Sequence, residues 1–483
     1  MTRDLEHARR LFLRVAAAGV GGVAFSACGG NAGDALAAGV AGSPPAPTPP
    51  PPPASATIIN AGPSDYLSKL AALKPGDTLL LAPGNYGVDA QGSDTATPPG
   101  LPVFNLNGSA AAPIVISGPA AGPRPVLLGR STHNTIRFAN ASHIVIRRLE
   151  VDGRNLGGFG VATQGPSNNI TLEDNVFRGM GSDQQVVAIS TTGQPTWGWV
   201  VRRNLIVAAG TGIYLGNSSG DSPFVAGLIE YNVILDTIGY CMQIKHQVPW
   251  ATVPAGMPTG KATTIVRHNV FAKSGNSATG ENARPNLLLG DQPPSGPGST
   301  NGFAVYGNFF HQNPGEALFQ AEGNFAFYDN LLVTADSAVR VQQHNGMVRD
   351  ARIFHNTVVA GGGGISVGGG AAGYTQRVLA NAVFAGGAAI ALNGAGASAA
   401  DNISDLRTNA PAYLNSPLAG IGALDLFPRP GTLNTSQVNL AGLEAYPDWN
   451  RDFNGNPRDA AFRGAYSAAG TNPGWALALG QKP

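Results

Sequence analysis

One recurring pattern, an asparagine followed by two mostly apolar residues, limits this chain more than any other feature. Asn175-Val-Phe, Asn204-Leu-Ile, Asn232-Val-Ile, Asn269-Val-Phe, Asn308-Phe-Phe, Asn330-Leu-Leu, Asn356-Thr-Val and Asn381-Ala-Val form one series, with successive gaps of 29, 28, 37, 39, 22, 26 and 25 residues. Between them lie short β-branched and apolar runs cut by Gly and Asn. A period in the twenties built this way marks a solenoid of stacked strands. A helical repeat would need longer apolar runs at 3.6-residue spacing, and none occurs. The stretch 230–247 shows one winding whole: Asn232-Val233-Ile234, a turn around Asp236–Gly239, then an alternating run from Tyr240 to Gln247 that carries Lys245 and His246.

The physics of such a repeat is direct. A single coil cannot bury its own apolar face, so it stacks on a neighbour, with parallel strands about 4.8 Å apart. Each corner asparagine can bond its amide to the equivalent group one coil away, a structural role that accounts for all eight. Two less regular coils precede the series, around Val103–Ser117 and Ile136–Gly153. Together these make an all-β parallel β-helix of roughly ten coils, about 50 Å of stacked sheet.

The first 28 residues read as an address. Ala8-Arg9-Arg10-Leu11-Phe12-Leu13-Arg14 resembles the twin-arginine export motif, and the apolar segment Val15–Ala27 is too short to span a bilayer. Phe25-Ser26-Ala27-Cys28 resembles a bacterial lipobox, with Phe25 where Leu is usual. The expectation is an exported periplasmic or cell-envelope lipoprotein, lipidated on Cys28 and touching the membrane through that anchor alone; an ordinary cleaved signal is the alternative. The other cysteine, Cys241, then has no disulfide partner and reads as a small hydrophobe. Residues 29–56, with Ser43–Pro53 at their centre, form a Pro-rich linker. Residues 57–483 form the one domain, with an irregular tail from about 393.

That domain opens with a helix candidate, Asp65–Leu73, with Ser64 as its cap. A Pro75-Gly76 turn and the apolar run Thr78–Ala82 follow. A helix and strand placed here would close the open end of a solenoid. This stretch, with the Asn-led repeats behind it, resembles the right-handed parallel β-helix proteins of the pectate-lyase-like group. The resemblance covers most of the chain from Thr57 and implies a right-handed coil with an N-terminal helical cap. Composition agrees: 66 Gly and 37 Pro supply many turns. Only 12% of residues are charged, 30 basic against 29 acidic, which argues against a nucleic-acid partner. No internal run of 18 apolar residues suggests a membrane span. A monomer is expected.

Solenoids place function where loops lengthen. The two longest gaps are adjacent, and their inserts, Val248–Lys261 and Ser274–Thr300, should raise two walls side by side on one face. Alternation turns Met242 and Ile244 inward and Gln243 and Lys245 outward. The outward residues Tyr214, Gln243, Gln320, Glu322, Arg340, Gln342 and His344, with Asp291 from the neighbouring coil, then form a polar track with an aromatic end. Such a track suits a chain of sugars, whose hydroxyls need donors and acceptors and whose ring faces stack on aromatics.

Lys245, His246 and Arg284 are the catalytic candidates. A lysine near other cations loses basicity and can act as a base, and an arginine can neutralise a uronate carboxylate while its α-proton leaves. In the alginate-lyase and chondroitinase-B-like branch of this fold, a Lys on one coil and an Arg on the next play these parts, and Lys245 resembles that Lys by its place at the end of a coil strand. The strand of the next coil, Asn286–Gly290, carries no Arg; Arg284 precedes it, and His246 stands as an alternative base. The resemblance implies a polysaccharide lyase acting on an acidic polysaccharide. Three other readings stay open. One is hydrolysis through Glu316, Glu322 or Asp291, since a glycosidase needs two carboxylates about 5–9.5 Å apart. The others are a uronan epimerase and a non-catalytic glycan-binding protein. No HExxH motif occurs. The Asp and Asn residues of Asp448–Arg458 make calcium a candidate ion, although turn chemistry explains them better.

Overall fold

The computed structural model describes residues 57–87, 100–131 and 133–483. The signal, the lipidation site Cys28 and the linker to residue 56 lie outside the described residues. From Ile58 the chain winds through three parallel sheets in a fixed order. The first runs from Ile58–Ala61 to Ala397–Ala400, the second from Gly84–Tyr86 to Ile403–Leu406, and the third from Leu101–Phe104 to Ile390–Leu392. The second and third contain 12 and 11 strands, and every neighbouring pair along them is parallel. Crossovers between parallel strands wind right-handed. This is a right-handed parallel β-helix, the stacked-strand solenoid that the repeat predicts.

Inward side chains stack from coil to coil. Ile213, Met242, Leu287, Phe319, Val339 and Ile365 form one such file along the third sheet, and all lie in the central core. The asparagine series forms a second file, at the corner between first and second sheets. Each side-chain oxygen accepts from the backbone N–H and the side-chain amide of the preceding asparagine: Asn269 to Asn308 at 2.9 and 3.0 Å, Asn308 to Asn330 at 3.0 Å for both. The residue before each ladder asparagine turns the corner in the left-handed region, with φ of 55° at Asp174, 56° at Tyr231, 53° at His355 and 64° at Gly307. The ladder therefore offsets a backbone bend that most residues resist.

Asn308 is fully buried and also donates to the carbonyls of Val266 and Tyr306. Replacing it by Ala removes five hydrogen bonds, two accepted from Asn269 and three donated to Val266, Tyr306 and Asn330. Asn308→Ala should destabilise the fold by about 2–3 kcal/mol, read as a fall in Tm by circular dichroism; a shift too small to measure would remove the ladder from the stability account.

Three local expectations change. The N-terminal helix spans Tyr66–Ala71, and its cap position is Asp65, not Ser64; the Asp65 carboxylate instead accepts the Gly62 N–H at 2.8 Å. The solenoid does not end near 393. Ala397–Ala400 and Ile403–Leu406 extend two sheets, and Asn402 is a ninth rung. The repeat is hard to read there because its strand is Ala-Ser-Ala-Ala, without β-branched residues. The inserts, finally, are not placed alike. Residues 248–261 lie wholly between third and first sheets, whereas 274–300 straddles the third-sheet strand Leu287–Leu289.

The remaining tail lays apolar residues over the outside of two sheets. Leu414, Leu426, Phe453 and Tyr466 pack on Val270, Phe309 and Leu331 of the second sheet. Val438 and Leu443 pack on Tyr306, Tyr328 and Phe354 of the first.

Candidate active site on the third sheet

The register of the third sheet lines up one outward row, Ser190, Tyr214, Gln243, Leu288, Gln320 and Arg340. The insert supplies two banks to this floor. Residues 274–286 border its entry from the second sheet and carry Arg284, and residues 290–301 border its exit toward the first, beside 248–261. The cleft thus lies across the strand, between the two halves of the longer insert.

Lys245 follows Ile244, and the register carried one residue on sets it between Gly216 and Gly290. Those positions leave space on both flanks. A Cβ on Gly290 would come within 2.1 Å of the His246 nitrogen, so this close approach admits only glycine. Met242 and Ile244 point into the core, while the half-buried Lys245 sets its ammonium 6.0 Å from the centre of the Tyr214 ring. Burial holds the Lys245 pKa below that of a free lysine; the nearby Arg284 guanidinium pushes the same way and Glu322 opposes. Arg284 itself donates through its guanidinium to the carbonyls of Glu281 and Ala283 at 2.8 and 2.7 Å. It lies 6.0 Å from the Tyr240 ring centre, and its backbone carbonyl is held by Lys273 Nζ and Asn313 Nδ2, each donating at 2.8 Å. Among the described residues neither Lys245 nor Arg284 forms a salt bridge.

Three polar groups on the floor lack a protein partner among the described residues. Gln243 is only 3% exposed, and its side-chain amide meets no hydrogen-bond partner. His246 Nδ1 is buried and unpartnered, and the Lys245 ammonium donates no hydrogen bond. Of the three only His246 Nδ1 is sealed from solvent, and a buried polar atom is costly unless something satisfies it. Burial, followed by the Lys245 charge, holds the His246 pKa below its ordinary value; Glu322 opposes and the exposed His344 adds to the lowering. Tyr214 and Tyr240 keep their protons, since burial raises both.

Other predicted residues take structural roles. Glu322, 2% exposed, accepts the backbone N–H groups of His344, Asn345 and Gly346 at 2.9, 3.0 and 2.9 Å, and that of Asp291 at 3.3 Å. It pins a turn and cannot serve substrate. Asp291 is buried too, paired with Arg349 at 2.9 Å and accepting the Met347 N–H at 3.0 Å. Glu316 is engaged by Arg340 at 2.8 Å. Glu322 and Asp291 are therefore buried in structural contacts, whereas the half-buried Glu316 commits only Oε1, to Arg340 and to the Ala317 N–H. No group of three or more His, Cys, Asp or Glu fit for a metal occurs among the described residues. Gln320 is half-buried in the row, and Gln342 and His344 are exposed at its edge.

Tyr240 and Lys273 escaped the sequence reading. Tyr240 shares parity with the inward Met242, so alternation sends it inward. The chain bends between them, which puts the adjacent Cys241 and Met242 both in the core and leaves Tyr240 on the cleft. Cys241 is fully buried with its thiol pKa pushed up to about 11, an inert small hydrophobe as expected.

No protein-family model matches this chain, and no curated protein matches it. Solved structures resemble it at low identity. One is an alginate lyase from Paenibacillus sp. str. FPU-7, 15% identical over 72% of this chain and 95% of that one, with a TM-score of 0.34. Another is the pectate lyase Pel9A, at 13% over 88% and 96%, with a TM-score of 0.39. A third is a mannuronic acid-specific polysaccharide family 6 lyase from human gut microbiota, at 14% over 68% and 64%, with a TM-score of 0.40.

Proposed function

We propose that the third-sheet cleft binds an acidic, uronate-bearing polysaccharide and cleaves it by β-elimination, with Lys245 as the base. The observation that carries this reading is that Lys245 and Arg284, which border the same strand row as the Gln243 amide, have no carboxylate partner among the described residues, and that this amide makes no hydrogen bond to the protein. A uronate carboxylate answers the cations, and sugar hydroxyls answer the amide. The Tyr214 and Tyr240 rings offer faces for the sugar.

In this scheme Arg284 neutralises the carboxylate, which acidifies the adjacent C5–H. Neutral Lys245 takes that proton. The electron pair left on C5 forms the C4=C5 double bond as the C4–O4 bond breaks, and the O4 leaving group takes the proton back from the Lys245 ammonium. Atoms and charge balance without a co-reactant. Lowered basicity matters because the lysine must be neutral to begin.

The test is incubation with a panel of polyuronates, read by the ultraviolet absorbance of the unsaturated product. Appearance of that product supports the reading. Reducing ends without absorbance would assign hydrolysis, solvent deuterium entering C5 without cleavage would assign epimerisation, and binding alone would leave a glycan-binding protein. On a responsive polymer, kcat/KM should rise with pH, since the neutral fraction of the base grows as pH passes its pKa. For Lys245, whose pKa is lowered from 10.5, the midpoint should fall below that value. A limb below 6.5 would point to His246, lowered from 6.5.

A further inference from the structure

A second cavity lies around the corner from the cleft, on the outer face of the first sheet. Its volume is about 550 Å3. One side is the far end of the insert, reaching Asn301; the other is the tail at Ala445–Pro447. The two sites share a frame. Arg349 lines this cavity and ties down the bank of the cleft: its guanidinium holds Asp291 and donates to the carbonyls of Gln292 and Pro293 at 2.8 and 3.1 Å.

The lining has the chemistry of a site for an anionic sugar. Tyr446 is set against Tyr328 and Phe354, ring centres 6.2 Å away in each case, so its orientation is fixed by the stacked aromatics behind it. Tyr374 meets the Arg349 guanidinium 5.9 Å from its ring centre. Neither tyrosine hydroxyl has a hydrogen-bond partner among the described residues, nor does the exposed Lys261 ammonium. Arg352 adds a further cation; one terminal nitrogen donates to the carbonyls of Thr375 and Ala351 at 2.7 and 3.2 Å, and the other lies 3.6 Å from Asp350, which also lines the cavity. The Arg349 guanidinium is buried and committed to the insert, so the groups that face this hollow are the two rings, the Lys261 ammonium and the Arg352 guanidinium, beside the single carboxylate of Asp350. Two cations and two rings suit a sugar with a carboxylate and several hydroxyls.

We infer that this cavity is a second, non-catalytic site for an acidic sugar, which holds a neighbouring stretch of the polymer against the protein while the third-sheet cleft acts. The inference rests on the acidic-polysaccharide reading of that cleft. Its effect is retention on polymer, since two sites engaged by one chain raise the effective concentration at each; fragments too short to reach both gain nothing.

The test uses the full chain carrying Lys245→Met, so that no polymer is degraded, in affinity electrophoresis through gels containing sodium alginate or sodium polygalacturonate. Adding Tyr374→Ala and Lys261→Ala should weaken retention about 5-fold or more. The same pair on the unmodified Lys245 background should leave turnover of short oligouronates unchanged. Equal retention with and without the two changes would overturn the inference. So would a parallel loss of oligouronate turnover, which would make the cavity part of the cleft. Failure of the cleft reading would look different: the unmodified protein would form no unsaturated product from any polymer, whatever the gels show.

Discussion

Lys245→Ala should lower kcat on a responsive polyuronate by about 10³-fold, the scale of a lost general base, while changing stability by no more than about 0.5 kcal/mol. The reason for the separation is geometric. The ammonium stands between two glycine positions, pairs with no carboxylate and donates no hydrogen bond, so truncation leaves no partner stranded in the core. Lys245→Arg sharpens the test, because it keeps the positive charge but cannot give up its proton near neutral pH. If Lys245 only attracts an anion, the arginine variant keeps substantial turnover; if it is the base, both variants fail together. Turnover that survives in Lys245→Ala and vanishes in His246→Ala would move the base to His246, the next residue, whose buried Nδ1 has no hydrogen-bond partner.

The solenoid was legible because its evidence is periodic. A buried asparagine that bonds its own counterpart one coil away must recur at the coil length, and it does so even where the gap stretches to 39 residues. The left-handed corner before each rung was not legible. Its positions carry Asp, Arg, Tyr, His and Ala as well as Gly, because the ladder, and not the residue at the bend, enforces the conformation. Outward facing was read correctly for Tyr214 and Gln243, since alternation holds within a strand, and for Lys245, where the register runs one residue past the strand end. It failed at Tyr240, just before the strand begins, and at Glu322, just after one ends. Glu322 shows the further limit of alternation: a residue can leave the core side of a sheet and still be buried, here beneath the turn whose N–H groups it collects. Arg349 was missed altogether. It lies 58 residues from its partner Asp291, and an isolated pairing leaves no periodic trace.

Removing Arg349 should therefore destabilise the protein by about 3–5 kcal/mol, the cost of leaving a buried charge alone. Arg349 is 2% exposed and Asp291 5%. Their contacts run from Nε to Oδ1 at 2.9 Å and from the terminal nitrogen to Oδ2 at 3.2 Å. Burial already pushes the Asp291 pKa upward, opposed by the Met347 N–H and by Arg349. In Arg349→Ala the arginine's opposition is lost, so the folded-state pKa rises further above its unfolded value. A folded state that binds the proton more tightly than the unfolded chain gains stability as pH falls through that raised pKa. The deficit of the variant should accordingly shrink toward acid, before general acid unfolding sets in. The double change Arg349→Met with Asp291→Leu should recover most of the loss, because no lone charge remains. Guanidinium titrations of the three proteins at neutral and mildly acidic pH separate these outcomes. A deficit that stays constant with pH, or a double variant no more stable than Arg349→Ala, would mean that Arg349 acts through its bonds to the carbonyls of Gln292, Pro293 and Ser299, holding the cleft bank as a backbone clamp and not as a counter-charge.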